Sequence, residues 1–263
     1  IGFENANIHL RYDISTWIND GLMTIFFLMV GLEIKREIVE GELSSPRKAL
    51  VPIICAVGGA IIPALFYLGF NAGTETQHGW GISMATDIAF ALAVISLLDK
   101  RVPSSLKIFL AALAIVDDLI AILVIALFYT DEIHAMNLLY AGIGMLILIA
   151  MNRSNVKNPW LYLISGVFIW YFIHHSGIHA TIAGVLVAMT LPTNDTEIES
   201  PLEKLEHAIA KPVNFLIIPL FAFANTNITL EKEMLGGLVA PLGMGISVGL
   251  PVSYTHLRAH ETL

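Results

Sequence analysis

The sequence predicts an all-α, polytopic membrane protein, and three observations carry that expectation. Apolar residues fill 56% of the 263 positions and charged residues only 14%, against about 25% charged in a soluble globular domain. Mean hydropathy is +0.74. The apolar residues are gathered into successive runs of helical length, and no run shows the period-two alternation of a strand. The formal net charge of −8 carries little weight here, because in a membrane protein the placement of charge matters more than its sum. Cys55 is the single cysteine, so an intrachain disulfide is excluded. There is no glycine-rich phosphate loop, zinc-ligand spacing, nucleophile elbow or basic nucleic-acid stripe. No organic cofactor and no nucleic acid are expected.

The runs follow in order. Residues 14–32, 49–70, 82–98, 106–129 and 135–151 approach or exceed the roughly 20 residues that span a bilayer as a helix. Residues 160–173 and 178–191 are short for spans. They read as a tight pair of short spans or a re-entrant hairpin, with His174-His175-Ser176-Gly177 as the turn. Residues 205–224 form the next run, and 234–250 a last one rich in glycine and small residues. Gly58-Gly59, Gly142, Gly144 and Gly184 suit close helix contacts. Residues 1–250 are expected to form one transmembrane domain. The polar opening, which starts at Ile1, suggests that a preceding helix is missing. Residues 251–263 change character abruptly and are expected to be foreign to the fold.

Basic residues alternate between loops. Lys35, Arg36, Arg47 and Lys48 follow the first run, and residues 71–81 have no lysine or arginine. Lys100, Arg101 and Lys107 follow the third run, Arg153 and Lys157 the fifth, Lys204 and Lys211 the seventh. The loops between lack them, until Lys232 breaks the pattern after the eighth run. The basic side is the cytoplasmic one by the positive-inside rule.

Asp117 and Asp118 lie side by side within FLAALAIVDDLIAILVIALF. An acid at the centre of a membrane helix costs about 2.5–3.5 kcal/mol on insertion scales, so two in succession point to work on ions or protons. Adjacent helical residues diverge by about 100°; one carboxylate can line a cavity while the other meets a neighbouring helix. The alternative is a loop between two shorter helices, but no Gly, Pro or Ser flanks the pair. Carboxylate oxygens ligate hard cations, while burial and a nearby like charge each favour a proton on such a group. The pair suits a site that holds either a small cation or protons.

Asp87 lies in GWGISMATDIAFALAVISLL, preceded by Thr86 and a crowd of small residues. It reads as an acid at an interrupted helix, whose freed backbone needs protein or a cavity around it, or as the N-cap of a helix beginning at Ile88. Glu33, Arg36 and Glu37 cluster at the end of the first run; Glu203, Glu206 and His207 open the eighth. Solvated helix ends and the helix dipole account for both clusters equally well. His179 suits a helix end, and Asn19-Asp20 an interfacial cap.

GLEIKRE, ATDIAFALAVISLL, RVPSSLKIFLAALAIVDDLIAI, SGIHATIAGV and PLFAFANTNI together resemble the bacterial NhaA sodium/proton antiporters, over nearly all of residues 14–250. Inverted repeats and broken helices around a midplane site are named features of that family. The resemblance implies that Asp118 is the main cation-binding carboxylate and proton carrier, with Asp117 beside it. It implies that Thr86 and Asp87 sit where two interrupted helices cross, Asp87 compensating their partial charges. Glu33, Arg36, Glu37, Glu206 and His179, with His207 beside them, become candidates for the pH response. The family's first helix, its later helices and a lysine after a Gly-Leu pair have no counterpart here. The expectation is a multi-pass inner-membrane antiporter, not an enzyme, exchanging sodium and also lithium for protons and so regulating internal pH and sodium. Na+, H+ and the lipid bilayer are its partners, and a homodimer is an open expectation. Two other readings are a sodium-coupled organic-anion symporter of related fold and an intramembrane aspartyl protease using Asp87 and Asp118 as a dyad.

Overall fold

The computed structural model describes residues 4–5, 8–84, 103–130, 133–193, 200–226, 237 and 240–259. In chain order the strands are β1 (Glu4–Asn5) and β2 (Ile8–His9). The helices are α1 (Ile14–Thr16), α2 (Met23–Val39), α3 (Pro46–Asn71), α4 (Ser104–Phe128) and α5 (Ala135–Arg153). Then come α6 (Pro159–His174), α7 (Ile182–Thr190), α8 (Pro201–Pro212), α9 (Ile218–Asn225) and α10 (Pro241–Ala259). α3, α5, residues Ile108–Phe128 of α4 and the continuous stretch Pro201–Asn225 are each long and apolar enough to cross a membrane. The chain falls into two compact units, residues 1–36 with 128–228 and residues 37–127 with 229–263.

The first unit opens on the only sheet among the described residues. β1 and β2 pair antiparallel, Glu4 opposite His9 and Asn5 opposite Ile8. Two residues per strand are too few to alternate, which is why the sequence showed only helices. Asp13 then caps α1, accepting a hydrogen bond from the Thr16 N–H at 2.8 Å, as short acids do at helix starts. α1 runs through a π-helical stretch, Trp17–Leu22, into α2. A second π stretch, Val213–Ile217, joins α8 to α9. Pro212 before it and Pro219 after it each lack the N–H of a regular α ladder, the usual cause of such a local adjustment. α8 begins with a reciprocal cap: the Glu203 N–H donates to Ser200 Oγ at 3.2 Å and the Ser200 N–H donates to Glu203 Oε2 at 2.7 Å.

Of the two short runs, residues 160–173 are helical within α6, but the second resolves into turns and the nine residues of α7. Nine residues rise about 13 Å, less than half of a hydrocarbon core of about 30 Å. Gly177, at φ 88°, supplies the left-handed turn between them. α7 lies against α2 almost backbone to backbone. A Cβ on Gly184 would stand 2.3 Å from the Thr24 carbonyl oxygen and 2.7 Å from Leu28 N; one on Gly31 would stand 2.7 Å from Ala188 Cβ. Around this contact Leu28, Leu32, Leu148, Tyr162, Ile169 and Leu202 form the unit's core. Gly144 meets Ile169 as a close-contact glycine should, but Gly142 has nothing within 4 Å of where a Cβ would sit. It faces outward, since residues two apart on a helix lie about 200° apart.

In the second unit, α4 lays Leu113 and Val116 on Cys55 and Ala56 of α3, and its Ile120 and Val124 towards Ala60, Ala64 and Met84. α10 packs through small residues on α3, where Gly245 sits against Asn71 and Tyr67, and on the stretch that follows it, where Gly249 sits against Ser83. The backbone of α10 stays helical across Pro251 to Ala259. Between α3 and α4 the chain forms ten residues of 3₁₀ helix, Glu75–Met84, where runs beyond about four are uncommon. A buried polar knot anchors it. Asn71 donates to the Pro241 carbonyl at 2.9 Å and accepts from Thr76 Oγ1 at 2.7 Å, while the Tyr67 hydroxyl donates to the Thr76 carbonyl at 2.8 Å. The expected interruption around Thr86 and Asp87 lies outside the described residues.

Candidate cation site and the basic end of the first unit

Asp117 and Asp118 stand within one unbroken helix, α4, so the loop alternative is set aside. Both are half-buried. The residues of α4 that pack on α3 fix where they point. Leu113, Val116, Ile120 and Val124 recur at helical spacing and define one stripe. At about 100° per residue, Asp117 falls roughly 50° from the centre of that stripe and Asp118 roughly 150°. Asp117 therefore flanks the α3 contact, and Asp118 faces away from it. The helix separates two chemically identical groups into a flanking position and an outward one. Carboxylates so placed can offer oxygen to a hard cation or hold protons.

The structure brings some of the remaining candidates together. Arg36 Nε meets Glu206 Oε2 at 3.1 Å, joining α2 to α8. The Arg36 side chain is 40% exposed, and a pair this exposed contributes at most about 1 kcal/mol. Glu33 and His207 are exposed on the same two helices, and Glu37 lies against Gly41. His179 is exposed in the turn that leads into α7. It stands at the opposite end of that helix from the Arg36–Glu206 pair, about 13 Å of helix away. Thr86 and Asp87 lie outside the described residues.

One functional-looking residue escaped the sequence reading. Lys35 sends its Nζ to the carbonyls of Met189, at 2.8 Å, and of Leu191. Asn152 donates to the Thr190 carbonyl between them at 2.7 Å. The last carbonyls of a helix have no partner within it, and here two side chains from other helices cap three in succession. Lys35 lies past the apolar run that ends at Leu32, and burial lowers its pKa to about 8. Nothing local in the sequence separates it from an ordinary loop lysine, because its partners are 154 and 156 residues away.

A family model described as Na+/H+ antiporter 1 matches residues 1–254. The sequence is 65% identical over 251 residues to a Flavobacterium johnsoniae protein named Na(+)/H(+) antiporter NhaA 2, covering 95% of this chain and 62% of the relative. It is 54% identical over 249 residues to the Na(+)/H(+) antiporter NhaA of Flavobacterium psychrophilum, covering 94% of this chain and 64% of that one. Against the protein of the same name from Escherichia coli O1:K1 / APEC the identity is 48% over 246 residues, at 93% and 63% coverage. The chain thus spans a little under two thirds of the length of these curated relatives.

Proposed function

The chain belongs to the Na+/H+ antiporter 1 family, and from that premise we propose that it carries the cation- and proton-binding helix of a secondary transporter exchanging Na+ for H+ across the bacterial inner membrane. The observation that carries the proposal is the Asp117-Asp118 pair, half-buried and unbroken by any loop within an apolar helix. Asp118, turned away from α3, is the principal ligand, and Asp117 beside it shares the negative charge that a bound cation neutralises. Cation and protons compete for the same oxygens. When protons leave, the carboxylates become ligands; when a cation leaves, protons restore neutrality. Lithium, smaller and also a hard cation, uses the same oxygens. No covalent bond forms or breaks, and the proton gradient and membrane potential supply the drive. Thr86 and Asp87 complete the site as the partners of an interrupted helix, and Glu33, Arg36, Glu37, His179, Glu206 and His207 contribute to its pH response. Nothing among the described residues favours the organic-anion symporter or the protease.

The test uses vesicles everted from a salt-sensitive bacterial strain without antiporters of its own. They would carry a chimera in which residues 14–250 replace the matching segment of the Flavobacterium johnsoniae relative. Sodium should restore the fluorescence of a pH dye, and Asp118→Asn should abolish that response while membrane insertion is unchanged. Dequenching at the unsubstituted rate in Asp118→Asn would remove Asp118 from the mechanism.

A further inference from the structure

In the second unit one buried side chain, Asn71, ties together three segments: the last turn of α3, the 3₁₀ helix Glu75–Met84 and the first residue of α10. Its Nδ2 donates to the Tyr67 carbonyl at 3.1 Å and to the Pro241 carbonyl at 2.9 Å. Its Oδ1 accepts from Thr76 Oγ1 at 2.7 Å. These partners fix the orientation of the amide, because the two carbonyls only accept and the hydroxyl is left to donate. The backbone carbonyl of Asn71 takes the Thr74 N–H at 3.1 Å and the Thr74 hydroxyl at 2.8 Å. Asn71 is fully buried, and both N–H groups and the oxygen of its amide are engaged.

What Asn71 holds is the uncommon element. Ten residues of 3₁₀ helix exceed what that ladder sustains unaided, and support reaches this one at both ends. At its start Asn71 and the Tyr67 hydroxyl hold Thr76, and Gly79 comes so near Tyr67 that a Cβ would stand 2.6 Å from the hydroxyl oxygen. At its end Ser83 is fully buried against Gly249, and Met84 joins Ala60 and Ala64 of α3. Trp80 packs on that same cluster, as do Ile120 and Val124 of α4. Trp80, Met84, Ile120 and Val124 line one apolar hollow of about 370 Å³, and Ile120 stands two residues past Asp118. Relaxed to α-helix, the ten residues would be about 5 Å shorter and turned by about 200°. Trp80 and Met84 would then leave the flank of α4.

We propose that Asn71 is a positioning residue for cation exchange: it keeps residues 75–84 in 3₁₀ form, and that form sets the flank of α4 beside Asp117 and Asp118. The inference rests on the function proposed above and adds to it a residue that acts through α4. The contacts of α4 before the aspartates, Leu113 and Val116, lie on Cys55 and Ala56 of α3. Those after them, Ile120 and Val124, share their cluster with Trp80 and Met84. Removing the Asn71 amide leaves two carbonyls and a hydroxyl short of a partner at a buried point, a cost the segment relieves by shifting. The second set of contacts then loosens while the first stays, and α4 moves at the aspartate pair. Displaced carboxylate oxygens bind a small hard cation less well. The loss is unequal for Na+ and Li+, because the fit of a hard cation depends on the size of its site.

Everted vesicles carrying the same chimera of residues 14–250 test it. The KM for Na+, the KM for Li+ and the maximal rate per inserted protein are measured separately. Asn71→Ala should raise the KM for Na+ by about tenfold, the lower end of what losing an outer support costs a metal site, and should change the ratio of the Na+ and Li+ values. Thr76→Val removes the hydroxyl that Asn71 accepts from and should move the KM in the same direction; Thr76→Ser should restore it. A merely structural role lowers the inserted amount, or the maximal rate for both ions alike, and leaves both KM values in place. That result would overturn the inference. If Asn71→Ala does not insert, the Thr76 pair decides, and a Thr76→Val chimera with the original KM values overturns the positioning role. The underlying reading fails separately. A chimera that exchanges no Na+, or still does so after Asp118→Asn, overturns the proposed function and this inference with it. Exchange that depends on Asp118 but keeps its KM values in Asn71→Ala overturns this inference alone.

Discussion

Asp117 and Asp118 show how a one-residue step can give two like groups different surroundings, because helix geometry alone turns one towards the α3 contact and the other away from it. Lys35 shows the reverse, an ordinary loop lysine by sequence that tertiary structure turns into a helix cap. Its lowered pKa, about 8, gives a testable sign. The unfolded chain holds the proton up to about 10.4, so between these values the unfolded state binds more protons and stability rises with pH. That contribution is full above the upper value and lost as pH falls through about 8. The thermal midpoint in detergent should climb between pH 7.5 and 9.5, and Lys35→Met should flatten the climb. An equal climb in the variant would assign it to another group. The acid pair was legible in the sequence because an apolar helix has no structural need for it. Lys35 and Asn71 were not, because each has a partner more than 150 residues away.

Among the elements, α7 depends most on a single contact. Gly184 meets backbone atoms of α2, which cannot swing aside as a side chain would. Gly184→Leu should force α7 from α2 and destabilise the unit by about 2 kcal/mol or more, the cost of overpacking a close contact. Gly142→Ala is the control: with open space at that position, it should be neutral or stabilising by up to about 1 kcal/mol. Thermal unfolding of both variants checks the contrast, and an equal loss at Gly142 would mean that glycine matters here for reasons other than space. Among the described residues, the order and approximate limits of the long helices were legible from apolar runs. The π-helical stretches, the two-residue strands and the shortness of α7 were not. Packing and proline placement decide these, and neither leaves a periodic trace in a run of uniform hydropathy.

At the scale of the molecule, the loop charges and the fold agree within the first unit. Lys35, Arg36, Asn152 and Glu206, from loops or helix ends on the basic side of the alternation, are joined at one end by hydrogen bonds and an ion pair. Tyr12, His134 and His174–Ser176, from the other side, meet at the opposite end. A Cys55→Ser background with His134→Cys or Ser154→Cys should therefore label from opposite faces of the membrane with an impermeant maleimide, His134→Cys in intact cells and Ser154→Cys in everted vesicles. Labelling of both from one face would overturn the orientation. The central claim is that cation and protons compete for Asp117 and Asp118, and titration calorimetry of sodium into the purified chimera at several pH values tests it most directly. The account predicts an apparent affinity that strengthens as pH rises, by about tenfold per unit for each proton displaced, and is lost in Asp118→Asn. An affinity unchanged from pH 6 to pH 9, or one that survives the substitution, would contradict it.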